Sequence, residues 1–171
     1  MQKALFLDRD GVINEEKEYL YKQEDVVFIE GIFDLCRHYI AQGYVIIVVT
    51  NQSGIARGYY TQEEFTKLSI WMQEVFATKS TPITAIYHCP HHPAITGDCS
   101  CRKPKPGMLL QAAKDHNIDL SRSVIVGDKE RDIEAGINAG LQESYLLDET
   151  GSIRDSKATK IVQKLEEIWK R

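Results

Sequence analysis

Two acidic side chains, Asp8 and Asp10, are separated by one residue and directly follow a short apolar segment, residues 4–7. Because residues i and i+2 of an extended chain point to the same side, both carboxylates can face one place while Arg9 points elsewhere. Two carboxylates that lie so close repel each other unless a cation or a proton lies between them. Taken alone, this segment is as typical of a solvated acidic turn as of a cation or catalytic site.

Further polar groups follow other apolar or loop segments of the chain: Thr50, Asn51, Arg102, Lys103 and Asp128. A carboxylate nucleophile needs an electrophile that a weak base can attack, and a phosphoryl group is one. Transfer of that group needs positive charge around its oxygens, which Lys103 and a metal ion could supply. Asp8 and Asp128 offer the oxygen ligands that Mg²⁺ prefers, and Asp10 remains free to protonate the leaving oxygen and then to activate water. Each group alone also fits ordinary turn chemistry or a solvated basic pair.

The elements that must position these groups alternate between strand and helix, which predicts an α/β fold with a doubly wound, Rossmann-like parallel sheet. Apolar runs predict strands at 4–7, 44–49, 83–88, 123–126 and 144–147. Apolar residues at helical spacing predict helices that begin near Ile32, Thr61, Met108 and Lys129, and a final amphipathic helix over 161–169. Ligands bind such sheets at the carboxyl ends of the strands, which is where the polar groups fall.

Composition narrows the class of protein. The 171 residues fit one domain with a substantial core, and 43% apolar and 27% charged residues are ordinary for a globular protein. A net charge of −4 gives no indication of nucleic-acid binding. Charged residues interrupt the first apolar segment after four residues, and no apolar run approaches the ~20 residues of a membrane span, so we expect neither a signal peptide nor a membrane partner, and a cytoplasmic location.

Three of the four cysteines crowd into one segment. It reads Cys89-x-His91, then seven residues, then Cys99-x-Cys101. Three sulfurs and one imidazole are typical of a structural zinc site, although the one-residue gaps differ from those of common zinc fingers. His88 and His92 are rival nitrogen ligands, and a loop of reduced cysteines is the alternative. The fourth cysteine, at position 36, belongs to an apolar helical stripe and is expected to be a packed thiol.

The motifs together resemble a known family. Asp8-Arg9-Asp10-Gly11-Val12, the strand that ends in Thr50-Asn51, Lys103, and Gly127-Asp128 with Asp132 resemble, in order and spacing, the four motifs of the haloacid dehalogenase superfamily of phosphatases. More narrowly, residues 50–58 (TNQSGIARG), 89–93 (CPHHP) and 101–104 (CRKP) resemble the D-glycero-D-manno-heptose 1,7-bisphosphate 7-phosphatase family. The phosphatase domain of histidinol-phosphate phosphatase shares much of this pattern.

The resemblance implies roles for individual residues. Asp8 would be the nucleophile, Asp10 the acid/base, Thr50 the holder of a phosphoryl oxygen, and Lys103 the catalytic cation. The implied substrate contacts are Glu16, Lys17, Glu18, Tyr19, Thr50, Asn51, Gln52, Ser53, Arg102, Lys103 and Lys129. The implied Mg²⁺ ligands are Asp8, Asp10 (through its carbonyl) and Asp128, and the implied zinc ligands are Cys89, His91, Cys99 and Cys101. Asp132 is treated only as support, because it could simply favour a helix N-terminus or pair with Lys129.

The resemblance also implies a single phosphatase domain over residues 1–171, with no large cap and with loops at 15–30 and 89–103 that shape the pocket. The implied enzyme is a monomeric Mg²⁺-dependent phosphatase that forms an aspartyl-phosphate, removes the C7 phosphate of a heptose bisphosphate, and serves nucleotide-activated heptose synthesis for lipopolysaccharide core or surface polysaccharide. Which C1 anomer it prefers is left open. The alternative functions are those of a histidinol-phosphate phosphatase, of a non-enzymatic receiver-like phosphoacceptor, and of a zinc-organised binding module.

Overall fold

Six parallel strands form one sheet in the order β3-β2-β1-β4-β5-β6. The computed structural model describes residues 1–170. The strands are β1 (Lys3–Leu7), β2 (Tyr44–Asn51), β3 (Ile83–Cys89), β4 (Val124–Gly127), β5 (Glu143–Leu147) and β6 (Lys160–Val162). The first five match the predicted strands to within two residues at either end. They form where β-branched and aliphatic residues run together, as expected for strands that are buried on both faces.

Helices cover both faces of the sheet. They are α1 (Ile32–Ala41), α2 (Gln62–Thr78), α3 (Pro93–Thr96), α4 (Gly107–His116) and α5 (Glu130–Ala139). The side chains of β1 alternate: Leu5 and Leu7 pack in one core with α1 and α2, and Ala4 and Phe6 pack in the other with α4 and α5. Complete burial of a residue such as Phe6 stabilises the fold by roughly 1.5–3 kcal/mol, so these two cores hold the ends of the strands in place.

The predicted final helix is wrong. Lys160–Val162 forms β6, which pairs with β5, and a short 3-10 helix over Leu165–Ile168 follows it. The apolar residues in this segment are at helical spacing, but Ile161 and Val162 are β-branched and the outer edge of β5 offers unpaired backbone groups. Strand pairing therefore outweighs the local helical pattern.

The register of the central strands brings the predicted site together. Leu7 at the end of β1 pairs with Val48 on one side and with Val126 on the other. The residues that follow β1, β2 and β4 therefore leave the same edge of the sheet side by side. Within residues 1–170, each connection at this edge is a loop with at most a short helix, so no large inserted domain covers it. None of the helices in that range has the length and hydrophobicity needed to cross a bilayer.

Candidate active site

A buried ion pair lies at the centre of the site. The Nζ of Lys103 donates to Oδ1 of Asp8 at 2.9 Å and to the Val49 carbonyl at 2.8 Å. The Asn51 side chain fixes the Lys103 backbone, because it accepts from the amide at 3.0 Å and donates to the carbonyl at 3.2 Å. The carboxyl end of β2 thus aims a lysine from a distant loop at the first acidic residue after β1.

Two further carboxylates lie close to the carboxylate of Asp8. Single oxygens of Asp8, Asp128 and Asp132 lie within 4.8 Å of one another. Burial raises the pKa of Asp8 well above its usual value, and so do the charges of Asp132 and Asp128, although Lys103 opposes them. The cluster therefore holds more negative charge than one ammonium group compensates, and a divalent cation would relieve the repulsion.

The donor set fits magnesium. Oδ1 of Asp128 is buried and has no hydrogen-bond partner within the described residues. A buried oxygen of this kind is suited to be a metal ligand, because a cation would satisfy it. Gly11 has a φ of +89° and passes so close to Asp128 that a Cβ at this position would overlap its carboxylate. Hard carboxylate oxygens of this kind are what Mg²⁺ takes.

Asp132 contributes more than the sequence predicted. It is completely buried, and its Oδ1 lies 2.7 Å from the Nζ of Lys103. Its Oδ2 accepts from the backbone amides of Asp128 at 3.2 Å and Lys129 at 3.1 Å, which caps α5. The expected preference for a helix N-terminus is confirmed, but the pairing with Lys103 was missed because Asp132 lies in the first turn of α5 and Lys103 in a distant loop.

The expectation that Arg9 points away from the acidic pair is wrong. Its guanidinium contacts Asp10, with Nη2 3.1 Å from Oδ1 and Nε 3.2 Å from Oδ2. Asn14 also donates to Asp10, at 3.1 Å, and Gln52 donates to it at 3.1 Å. The long arginine side chain folds back onto its neighbour, so Arg9, Asn14 and Gln52 together hold the Asp10 carboxyl at the wall of the site.

Thr50 is almost completely buried at the end of β2 and accepts a 2.8 Å hydrogen bond from Gln52. A cavity of about 210 Å³ opens to solvent beside Asn51 and Gln52, and Thr50 is not part of its lining. The cavity is lined by Asp8, Arg9, Asp10, Glu16, Lys17, Glu18, Tyr19, Leu20, Asn51, Gln52, Ser53, Gly54, Tyr60 and Arg131. Seven predicted substrate contacts are among these residues, namely 16–19 and 51–53. Tyr60 and Arg131 were missed, although Arg131 follows Asp128 by only three residues and could have been found on that ground.

The remaining predicted contacts lie outside this lining. Lys129 is half-exposed, with its Nζ 3.5 Å from Oδ2 of Asp128. Arg102 donates to the His91 carbonyl at 3.3 Å. Burial lowers the pKa of Arg102, and the nearby guanidinium groups of Arg131 and Arg57 lower it further. Arg57 and Arg102 on two loops and Arg131 in the first turn of α5 therefore bring positive charge together near the cavity, whose lining includes Arg131.

The cysteine segment forms a cluster beside Arg102. The Sγ of Cys89 lies 3.6 Å from Nδ1 of His91 and 3.6 Å from the Sγ of Cys99. The His91 nitrogen lies 3.3 Å from the Sγ of Cys101, and the sulfurs of Cys89 and Cys101 are in direct contact. All four ligand atoms lie within 4.8 Å of one another. Zn–S bonds of about 2.3 Å in a tetrahedral site place the ligand atoms a little under 4 Å apart. The separations of 3.3–3.6 Å are close to this spacing, and the sulfurs of Cys89 and Cys101 lie closer together than it.

The two rival histidines have other partners. The Nε2 of His88 lies 2.8 Å from the side-chain oxygen of Gln62. Nδ1 of His92 accepts from the Ala94 amide at 3.2 Å and caps α3. The imidazole of the cluster is thus that of His91.

Known proteins match the chain over most of its length. A family model described as "HAD-hyrolase-like" matches residues 100–168. D-glycero-alpha-D-manno-heptose-1,7-bisphosphate 7-phosphatase of Campylobacter jejuni is 50% identical over 86% of this chain and 83% of that protein. D-glycero-beta-D-manno-heptose-1,7-bisphosphate 7-phosphatase of Helicobacter pylori (strain 26695) is 49% identical over 85% of this chain and 83% of that protein. The chain belongs to the heptose-1,7-bisphosphate 7-phosphatase family of the haloacid dehalogenase superfamily.

A solved structure agrees with this membership. The D,D-heptose 1,7-bisphosphate phosphatase from B. bronchiseptica, crystallised with magnesium and phosphate, aligns with a TM-score of 0.82 at 28% identity, over 97% of this chain and 95% of that one. The sequence-based predictions of the family, of a haloacid dehalogenase fold and of a phosphatase are therefore confirmed.

Proposed function

We propose that this protein is a Mg²⁺-dependent phosphatase that removes the C7 phosphate of D-glycero-D-manno-heptose 1,7-bisphosphate. The observation that carries the proposal is the placement of Asp8 at the wall of the cavity, 2.9 Å from the buried ammonium group of Lys103. The names of the relatives support the substrate. They include both alpha and beta enzymes, so they do not discriminate between the C1 anomers.

The chemistry follows from the residues. A carboxylate oxygen of Asp8 attacks phosphorus, the bond from phosphorus to the sugar oxygen breaks, and Asp10 gives its proton to that oxygen. Asp10 then takes a proton from a water molecule whose oxygen attacks phosphorus in the aspartyl-phosphate, which releases phosphate and restores Asp8. Lys103 and Thr50 hold the phosphoryl oxygens during both steps.

Magnesium would be held by the carboxylates of Asp8 and Asp128 and by the carbonyl of Asp10. When bound, it would neutralise negative charge on the phosphoryl oxygens. The unpartnered Oδ1 of Asp128 supports this assignment, and so does the magnesium in the B. bronchiseptica crystal structure.

A structural zinc ion would be held by Cys89, His91, Cys99 and Cys101. A disulfide between Cys89 and Cys101 would use two of the four groups and leave no role for the others, whereas zinc uses all four. Cys89 ends β3 and Cys101 precedes Arg102, so zinc would tie the loop that presents Arg102 and Lys103 to the site. Zinc needs reduced thiolates, which fits the proposed cytoplasmic location.

Three arginines, of which Arg131 lines the cavity, support a bisphosphate over histidinol phosphate as the substrate. Arg57, Arg102 and Arg131 lie close enough for Arg131 and Arg57 to lower the pKa of Arg102, and a second phosphate would relieve that repulsion. Histidinol phosphate has one phosphate and carries a cationic amine instead. We therefore propose a small phosphorylated sugar as the substrate of a single-domain monomer in nucleotide-activated heptose synthesis, without a nucleic-acid or membrane partner.

The test is phosphate release from both anomers of the heptose bisphosphate and from histidinol phosphate, each with and without Mg²⁺. We expect Mg²⁺-dependent turnover of a heptose bisphosphate and much weaker turnover of histidinol phosphate. Asp8→Asn should abolish release, whereas Asp34→Asn, on the exposed side of α1, should not change it. Wild-type rates in Asp8→Asn, or a preference for histidinol phosphate, would contradict the proposal.

A further inference from the structure

A chain of hydrogen bonds leads from Tyr60 to Asp10. The hydroxyl of Tyr60 donates to Oε1 of Gln52 in a short hydrogen bond. Nε2 of the same amide donates to Oδ2 of Asp10 at 3.1 Å and to Oγ1 of Thr50 at 2.8 Å. Gln52 and Tyr60 are only 3% and 5% exposed, so solvent does not compete for these bonds.

The hydroxyl of Tyr60 decides which way the Gln52 amide points. An amide has one accepting end and one donating end, so a partner that donates to the oxygen fixes where the NH₂ group must go. Burial raises the pKa of Tyr60 to about 12, which keeps the hydroxyl protonated. The two hydrogens of Nε2 are thereby directed at Asp10 and Thr50.

The ring of Tyr60 is itself held in place. It stacks on the ring of Tyr21 with a centroid distance of 5.7 Å and an interplanar angle of 15°. It also passes Gly54 so closely that a Cβ at residue 54 would overlap the ring. The position of the hydroxyl is therefore set by packing and does not depend on a bound substrate.

We propose that Tyr60 is a positioning residue that, through Gln52, holds the carboxyl of Asp10 where it can protonate the leaving oxygen. The inference rests on the proposed function, because it concerns the step in which the sugar oxygen departs. In that step the bond from phosphorus to the sugar oxygen breaks and the Asp10 proton moves to that oxygen.

The need for the proton depends on the leaving group. A sugar alkoxide is a strong base and departs poorly without a proton, whereas p-nitrophenolate is a weak base and departs without help. The ratio kcat/KM includes steps only up to departure of the leaving group, so later hydrolysis of the aspartyl-phosphate does not affect it. A comparison of kcat/KM for the two kinds of ester therefore isolates the protonation step.

The experiment compares Tyr60→Phe with Tyr59→Phe on heptose bisphosphate and on p-nitrophenyl phosphate. Tyr60→Phe removes the hydroxyl and keeps the ring, while Tyr59 is exposed and provides a matched control. We expect Tyr60→Phe to lower kcat/KM for the sugar phosphate about tenfold, a part of the 10²–10⁴ that general acid catalysis supplies. For p-nitrophenyl phosphate it should change less than about twofold, and Tyr59→Phe should change neither value.

Two further variants keep the test decisive. Gln52→Met should give the same split between the two substrates, and it serves if Tyr60→Phe does not fold. In an Asp10→Asn background, Tyr60→Phe should cause no further loss on the sugar phosphate. Equal losses on both esters, or an additive loss in that background, would overturn the inference alone. Wild-type protein that hydrolyses p-nitrophenyl phosphate but no sugar phosphate would overturn the proposed function and, with it, the inference.

Discussion

Asp132 and Lys103 form an ion pair of 2.7 Å in which both side chains are almost completely buried. The same carboxylate caps α5 through its other oxygen. One side chain thus joins the start of α5, next to Asp128, to the loop that brings Lys103 to Asp8. This contact holds the part of the predicted phosphate site that contains Asp128 against the part that contains Lys103.

Asp132→Asn should therefore lower stability. Removing one partner of a buried ion pair typically costs 3–5 kcal/mol, and we expect a loss of about 3 kcal/mol in the free energy of unfolding, measured by urea denaturation. The matched control is Asp34→Asn, which breaks an exposed pair with Arg37 and should cost less than about 1 kcal/mol. Similar losses in both variants would mean that the buried pair contributes no more to the free energy of unfolding than the exposed pair does.

Gly11→Ala should weaken magnesium binding, because the new methyl group would displace the Asp128 carboxylate. We expect the Mg²⁺ concentration for half-maximal activity to rise at least about tenfold, as disturbed ligand support commonly does. Gly43→Ala is the control: its φ of +82° imposes similar backbone strain, but no atom lies within 4 Å of the added Cβ. It should cost about 1–2 kcal/mol of stability without changing the Mg²⁺ requirement. A shift of equal size in both variants would attribute the effect to strain.

Arg131→Met should separate recognition of the second phosphate from catalysis. Loss of a charge-assisted contact should raise KM for the heptose bisphosphate about tenfold and leave kcat nearly unchanged. KM for the heptose 7-monophosphate should not change. Arg122→Met, at the opposite edge of the sheet, removes the same charge from a distant site and should have no effect. A rise in KM for both substrates would exclude a role at the second phosphate.

Thiol titration tests the zinc cluster. With zinc bound, a thiol reagent should react slowly with the three clustered cysteines, and after removal of zinc by a chelator three thiols should react. Cys36 should not react in the folded protein, because it is buried and burial raises its pKa to about 12. Unfolding should reveal four thiols. If a disulfide links Cys89 and Cys101 instead, the chelator should release no zinc and only Cys99 should react.

Much of the fold could be predicted because local sequence patterns, such as apolar runs and helix caps, indicate the same elements that the folded protein contains. Uninterrupted apolar residues form 44–49 of β2 and 124–126 of β4, and the capping box of Thr61 and Glu64 marks the start of α2 near the predicted position. The sixth strand was missed because its three residues are too few to show the alternation of a strand, and they belong to a segment whose apolar residues are at helical spacing. Its identity depends on the edge that β5 offers, and that edge exists only in the folded protein.

For the candidate site, too, some residues could be predicted from the sequence and some contacts could not. Residues that directly follow a strand, such as Asp8, Thr50 and Asp128, could be found from their position alone. The contact of Arg9 with Asp10 depends on how a long side chain folds back, and that of Asp132 with Lys103 depends on how a loop packs against the start of α5. Tyr60 was missed because its ring lies eight residues from Gln52 along the chain, and only the path of the intervening loop brings them together.

The position of β1 between β2 and β4 has a consequence for synthesis on the ribosome. Asp8 emerges 95 residues before Lys103, and β4 follows later still. Until then, one edge of an apolar strand has no neighbour, and such edges favour association with other nascent chains. Premature termination before residue 124 should therefore yield aggregating, inactive fragments, and the enzyme should depend on rapid completion of translation or on a chaperone that shields β1.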